Sequence, residues 1–247
     1  MEKSKGIPGS TVKIIAMFSM VIDHFAAVVL TRMYMLGGYS EKFYGVIILL
    51  RLLGRLAFPI YCFLLVEGFQ RTKDVKGYML RMVFFALAAE IPFDLALTGQ
   101  AVNWGYQNVM FTMLIGLAAL RGLKLVEEKE FPKWKRILLQ AVVIFCAVVL
   151  AEGMKVDYSW SGILCICAIY LLKASNVRKV LLGNAVLIIA NTLEIAGLFS
   201  VPIIKAYNGE RGLKIKYFFY AFYPLHLLIL YIICVLLGIG DVNTLQY

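Results

Sequence analysis

The apolar residues of this chain come in blocks of roughly 15–25, the length an α-helix needs to cross a hydrocarbon core about 30 Å thick. The blocks run approximately Val12–Thr31, Phe43–Gly68, Tyr78–Thr98, Gln107–Val126, Ile137–Glu152, Trp160–Lys173, Val180–Leu193, Ile195–Tyr207 and Phe218–Gly238. Between them lie only short connectors, so a chain of 247 residues has no room for a sizeable soluble domain. Composition agrees, with 62% apolar and 16% charged residues, where a soluble domain is nearer half apolar. The expected fold is all-α: a polytopic transmembrane helix bundle in which residues 1–247 form one domain.

The net charge of +10 would suit a nucleic-acid partner if the cations were clustered on one surface. Instead Lys and Arg gather in short loops between apolar blocks, the positive-inside pattern, so their first role is orientation and no nucleic acid is expected. The basic start "MEKSKGIPGSTVK" resembles a signal peptide's. The segment after it is long, carries Asp23 and His24 and lacks a small-residue cleavage pattern, so it reads as a permanent first helix with a cytoplasmic N-terminus. The stretch from Val180 to Tyr207 fits one tilted helix or two short ones, giving eight crossings or nine. Only nine put the basic loop "KAYNGERGLKIK" inside, so nine are expected.

The five cysteines all fall in apolar blocks, and Cys165 and Cys167 point about 200° apart on a helix. They read as small buried hydrophobes, with no disulfide and no metal site.

Within the blocks stand residues that lipid excludes. Arg51 and Arg55 share one helix face, and each charge at mid-bilayer costs at least about 2.5–3.5 kcal/mol on insertion scales. Arg32, Lys42 and Lys155 fall at helix ends or in outside loops. At about 1.5 Å per residue, His24 and Arg51 lie roughly 18 Å from the cytoplasmic edge, Glu90 roughly 18–20 Å, with Asp94 one turn further, and His226 roughly 12–14 Å. Four helices thus offer ionisable groups at compatible depths, both histidines among them. Histidine suits proton transfer near neutral pH. Ion pairs such as Arg51 with Glu90 would explain the charges alone but not the doubled histidine. Pro92 and Pro224, each within two residues of such a group, free backbone carbonyls there.

The segments "SMVIDH", "RLLGRLAFPIYCFLLVEGF", "RMVFFALAAEIPFDLAL", "QNVMFTMLIG", "KAYNGERG" and "FYAFYPLHLLIL", in this order, resemble the TraX family over nearly the whole chain. That family is similar in turn to membrane acyltransferases of the acyltransferase-3 type and to the heparan glucosaminide N-acetyltransferase. The resemblance implies an integral membrane acetyltransferase of the bacterial cytoplasmic membrane, with acetyl-CoA as donor and no metal. It implies a catalytic centre at Asp23 and His24, donor binding by Arg51, Arg55, Arg211, Tyr223 and His226, and acceptor binding by Glu90, Asp94, Gln107 and Asn108. One departure stands out: Ser159 follows Asp157-Tyr158 where the resemblance implies Gly, and Asp157 is left outside the expected site.

The chemistry asks for these residue types on its own account. An amine or hydroxyl attacking a thioester loses a proton, which a neutral imidazole can take. Side chains adjacent in sequence point about 100° apart on a helix, so Asp23 is free to serve Arg51 and not His24. Acetyl-CoA is polyanionic and needs a cationic route, which "NGERG" with Arg55 and Arg51 would supply. The acceptor stays open among a peptide amine, a sugar and a small molecule, as do the oligomeric state and the choice between direct transfer and an acyl-histidine. The competing function is a proton-coupled transporter, whose usual internal repeat is not seen.

Overall fold

The computed structural model describes residues 6–37, 39–213 and 215–245. Among them the chain is helical, with two isolated bridges and no strand. Its helices are α1 (Gly9–Gly37), α2 (Glu41–Arg71), α3 (Val75–Thr98), α4 (Val109–Glu127), α5 (Lys133–Gly153), α6 (Ser159–Leu171), α7 (Asn176–Ala190), α8 (Ser200–Ala206, continuing a 3-10 stretch Thr192–Phe199) and α9 (Lys216–Leu236).

The two bridges fix which ends lie together. Ile7 pairs with the segment leaving α8, Ile7 N–H donating to Ala206 O at 2.8 Å and Asn208 N–H to Ile7 O at 3.0 Å. At the other end Gln107, before α4, pairs with the turn before α6, and the tail after α9 returns to α3 through Thr244 N–H to Leu97 O at 2.7 Å. The described residues therefore make nine passes, with residue 7 at one end, here the near end, and residue 244 at the far end. The ambiguous stretch crosses twice as expected. Its halves pack on each other around Asn184, fully buried, whose amide donates to Ser200 Oγ at 3.2 Å.

Among the described residues, five helices are long and apolar enough to span a bilayer. Outward faces are apolar too: on α3 Leu80, Phe84, Leu87 and Ile91 are each more than half exposed, a stripe at helical spacing. A water-soluble bundle would expose polar side chains there, so this is an integral membrane bundle. α5 lies at its periphery, with Ile137, Leu138, Phe145 and Val149 outward.

Two local features shape the interior. After His24 the first helix widens into a π segment, Phe25–Leu30, in which Thr31 Oγ1 donates to Ala26 O at 3.0 Å. Such segments occur often at functional sites; here it packs against α9. The second helix breaks its regular turn at Arg55–Leu56. Ser19 Oγ, donating to Leu53 O at 2.7 Å with Gly54 O at 3.0 Å, satisfies the carbonyls there. Gly54 is required, since a Cβ on it would sit 2.1 Å from Asp23 Cβ.

The far-end turn before α6 is strained. Lys155, Tyr158 and Ser159 have φ of 52°, 59° and 38°, a region side chains other than Gly enter at a cost of about 1–3 kcal/mol each. That accounts for the Gly expected in place of Ser159. Replacing Ser159 by Gly should raise stability by about 1 kcal/mol, less whatever its exposed bond to Glu152 contributes. Thermal unfolding in detergent would show it as a higher midpoint, and a lower one would refute the strain.

Arg32 corrects the sequence reading, which put it at a helix end. It is fully buried, its guanidinium donating to Ala96 O at 2.6 Å, Val242 O at 2.9 Å and Leu95 O at 3.3 Å. It ties the tail to the far end of α3 through backbone carbonyls.

Candidate active site

A cavity of about 1310 Å³ runs through the bundle from the near end to the far end. Its near mouth carries five cations, Lys13, Arg71, Lys73, Arg81 and Arg211. Of these, Arg71 pairs with Glu67 at 2.7 Å and Arg81 with Asp74 at 3.8 Å, leaving a positive surplus. The loop bearing Arg211 is strapped to the bundle: Gly9 and Ser10 at the start of α1 donate their N–H groups to Glu210 O and Arg211 O, and Arg71 donates to Gly209 O. Left-handed Gly209 and Gly212, with φ of 82° and 70°, let the loop make these turns. At the far mouth lie Asn103, Gly105, Asn191, Thr244 and Leu245.

Asp23 and His24 sit on the cavity wall between these mouths and do not serve each other. Asp23 faces α2, 3.4 Å from Arg51 Nε. His24 turns to α9, its Nδ1 2.7 Å from His226 Nε2, with the rings 4.9 Å apart between centres. The partners settle the tautomers. His226 Nδ1 lies 2.9 Å from Phe222 O, and a carbonyl only accepts, so that nitrogen carries hydrogen. In neutral His226 the other nitrogen, Nε2, must then accept, and His24 Nδ1–H donates to it. His24, which lines the cavity, is thereby left with Nε2 unprotonated and able to accept. A histidine that holds another in one tautomer does the orienting work that a carboxylate does in a serine-histidine-aspartate triad.

His226, 6% exposed, stands behind His24 and off the cavity wall. The structure thus does not bring it to where it would touch a donor, and its contact with His24 replaces the one-turn offset in depth expected from the sequence. Of the other residues expected at the donor, Arg51, Arg55, Arg211 and Tyr223 line the cavity. Arg55 is already engaged, at 3.1 Å from Glu194 and donating to Tyr158 Oη at 3.3 Å. None of the expected acceptor residues is on the wall. Asn108 is fully buried, donates to Ala86 O at 2.9 Å and to Glu90, and caps α4. Asp94 accepts from Asn103 N–H at 2.7 Å, and Gln107 holds the far-end bridge through its backbone. These four shape the far-end loop and stand behind it. The ion pair of Arg51 with Glu90 is likewise replaced, by Arg51 with Asp23.

Several wall residues escaped the sequence reading. Tyr106 donates to Asp157 Oδ1 at 2.6 Å, and Tyr158 stacks on Phe58 with ring centres 3.5 Å apart. Burial holds the Asp157 carboxyl above the usual carboxylate range, against the pull of the Tyr106 hydroxyl. Glu194, buried on the 3-10 stretch, closes the group. An acid inside the apolar run "NTLEIAGLF" was the available signal for it. A vestibule of about 370 Å³ beside Arg51, Arg55, Asp157, Trp160 and Glu194 adjoins the cavity. Among the described residues no cluster of His, Cys, Asp and Glu suits a metal ion, and the cysteines are free, four of them buried and Cys146 exposed.

Comparison with known proteins gives the arrangement its setting. The family model described as "TraX protein" matches residues 8–234. The chain is 28% identical to the "Probable fimbrial assembly protein FimC, serogroup H1" of Dichelobacter nodosus over 254 aligned positions, 93% of this chain and 97% of that one. No solved structure matches. A family match from the start of α1 to the last turns of α9 takes in every wall residue from Lys13 to Tyr223, and the chain belongs to the TraX family.

Proposed function

We propose that the chain is a membrane-embedded acetyltransferase that takes acetyl-CoA at the near, cytoplasmic end of its cavity and passes the acetyl group to an amine or hydroxyl. The bacterial cytoplasmic membrane is its site of action, and the acceptor reaches His24 from the far end. The observation that carries this reading is His24, held by His226 with its Nε2 unprotonated, on the wall of a cavity whose near mouth is cationic.

Lys13, Arg71, Lys73, Arg81 and Arg211 match the phosphates of the donor, and from Lys13 to His24 along α1 is about 16 Å, a distance for the extended pantetheine arm to bridge. As the acceptor attacks the thioester carbon, His24 Nε2 takes its proton. The carbon–sulfur bond then breaks, and the proton passes from the imidazolium to the departing thiolate. His226 stabilises the charged ring by accepting from Nδ1. The Asp23–Arg51 and Arg55–Glu194 pairs hold α1, α2 and the 3-10 stretch around the reacting atoms. The name of the Dichelobacter relative suggests assembly of a surface filament as the setting, with the acceptor presented beyond the membrane.

The test is incubation of the purified full chain with labelled acetyl-CoA and acceptor probes, a peptide with a free N-terminal amine and glucosamine. Thiol release matched by label on one probe is the expected result. Proton-driven flux into vesicles without thiol release would favour the transporter. Replacing Lys13 and Arg211 together by Gln should raise KM for acetyl-CoA about tenfold or more with little change in kcat, the pattern of lost ground-state binding.

A further inference from the structure

Tyr223 lines the cavity and is 5% exposed, yet its buried hydroxyl has no acceptor for its hydrogen among the described residues. A buried hydroxyl left so costs free energy on the order of 1–3 kcal/mol, and most such groups find partners. Its surroundings explain where it is aimed. Tyr223 lies on α9 one turn before His226, and its ring meets the His24 ring edge-on at 6.1 Å between centres. The backbone N–H of Val109, first residue of α4, faces the phenol oxygen. Asn108 caps the same helix by accepting from Met110 N–H. The hydroxyl thus has the positive end of a 19-residue helix behind it, which polarises its O–H toward an anion in front.

We infer that Tyr223 is a catalytic residue whose hydroxyl donates to the thioester oxygen and to the oxyanion formed when the acceptor attacks. The inference rests on the acetyl-transfer reading. In that step the carbonyl π pair moves onto oxygen as the new carbon–nitrogen or carbon–oxygen bond forms, and Tyr223 keeps its proton throughout. The pair returns when the carbon–sulfur bond breaks and thiolate leaves. His24 and Tyr223 meet edge-on and both line the cavity, so base and donor stand side by side on the wall that the tetrahedral carbon would face. Donors already in place where charge develops lower the barrier without reorganising in the step.

The experiment is Tyr223→Phe in the full chain, which keeps the ring and its packing. With acetyl-CoA and the acceptor probe that wild type uses, kcat should fall about 10²–10³-fold, the loss seen when one oxyanion donor is removed. KM for acetyl-CoA should stay within about threefold. Binding supplies an independent reading. The wild type should bind the trifluoromethyl ketone analogue of acetyl-CoA, which hydrates to a tetrahedral centre, more tightly than the methyl ketone analogue, and Tyr223→Phe should lose that preference. An active wild type whose Tyr223→Phe variant keeps its kcat and its analogue preference overturns this inference and leaves acetyl transfer intact. A wild type that releases no thiol overturns both.

Discussion

A His24→Gln protein is expected to bind acetyl-CoA like wild type and to transfer acetyl at least about a hundredfold more slowly, the lower end of what a positioned general base contributes. Glutamine keeps the size of the side chain and can still donate its amide to His226 Nε2, so α1 and α9 should stay packed and only the proton acceptor at the cavity is lost. His226→Gln is the informative companion. Its amide oxygen can accept from His24 Nδ1–H and hold the ring in the same tautomer, so it should be milder than His226→Ala, which frees the ring. Both should leave KM for acetyl-CoA nearly unchanged, because His226 is off the cavity wall. Steady-state kinetics on the purified proteins decide it. A folded, fully active His24→Gln would reject His24 as the base, and a KM effect confined to His226→Ala would return that residue to the donor.

Loss of Arg55 should act on the fold before it acts on the donor. The side chains of Arg55 and Glu194 are only 15% and 4% exposed. Removing one partner of such a buried pair costs about 3–5 kcal/mol, because the other charge is left alone in low dielectric. Arg55→Leu should therefore lower the unfolding midpoint sharply, as should Glu194→Leu. The double variant should recover much of that loss, since replacing both charges by apolar groups removes the desolvation penalty with the attraction. Arg51 is the contrasting case. Its side chain is 33% exposed and meets Asp23 at 3.4 Å, so Arg51→Leu should be the milder change in stability. Thermal denaturation in detergent of the three single variants and the double tests this. Additive losses at positions 55 and 194 would show that the pair is not a unit.

Residues legible in the sequence share one property: their evidence is local. Blocks of apolar residues of bilayer length gave the helices, and the positions of Lys and Arg gave nine passes instead of eight, including the short pair around Asn184 and Glu194. The roughly 100° between neighbours on a helix already separated Asp23 from His24, and the structure turns the first to Arg51 and the second to His226. Order along the chain also carried the family.

What only the tertiary structure decided lies across helices. His24 and His226 are 202 positions apart, and Arg55 and Glu194 are 139 apart. A rise of about 1.5 Å per residue gives a group's depth in the bundle and says nothing of its rotation or its neighbours. Those are set by packing: by Gly54 letting α2 close on Asp23, and by the π segment resting on α9 beside His24. Glu90, Asp94, Gln107 and Asn108 are expected at the acceptor because the family resemblance implies it. In the structure they hold the start of α4 and the far-end loop and stand off the cavity wall. Arg32 is the converse, a cation whose sequence position suggests a helix end and whose buried partners are mostly backbone carbonyls, of α1, α3 and the tail, which no side-chain pattern could announce. The sequence alone determined a nine-pass membrane bundle with ionisable groups inside it. Tertiary packing decided which of those groups face the cavity, because only it fixes the rotation of each helix about its own axis.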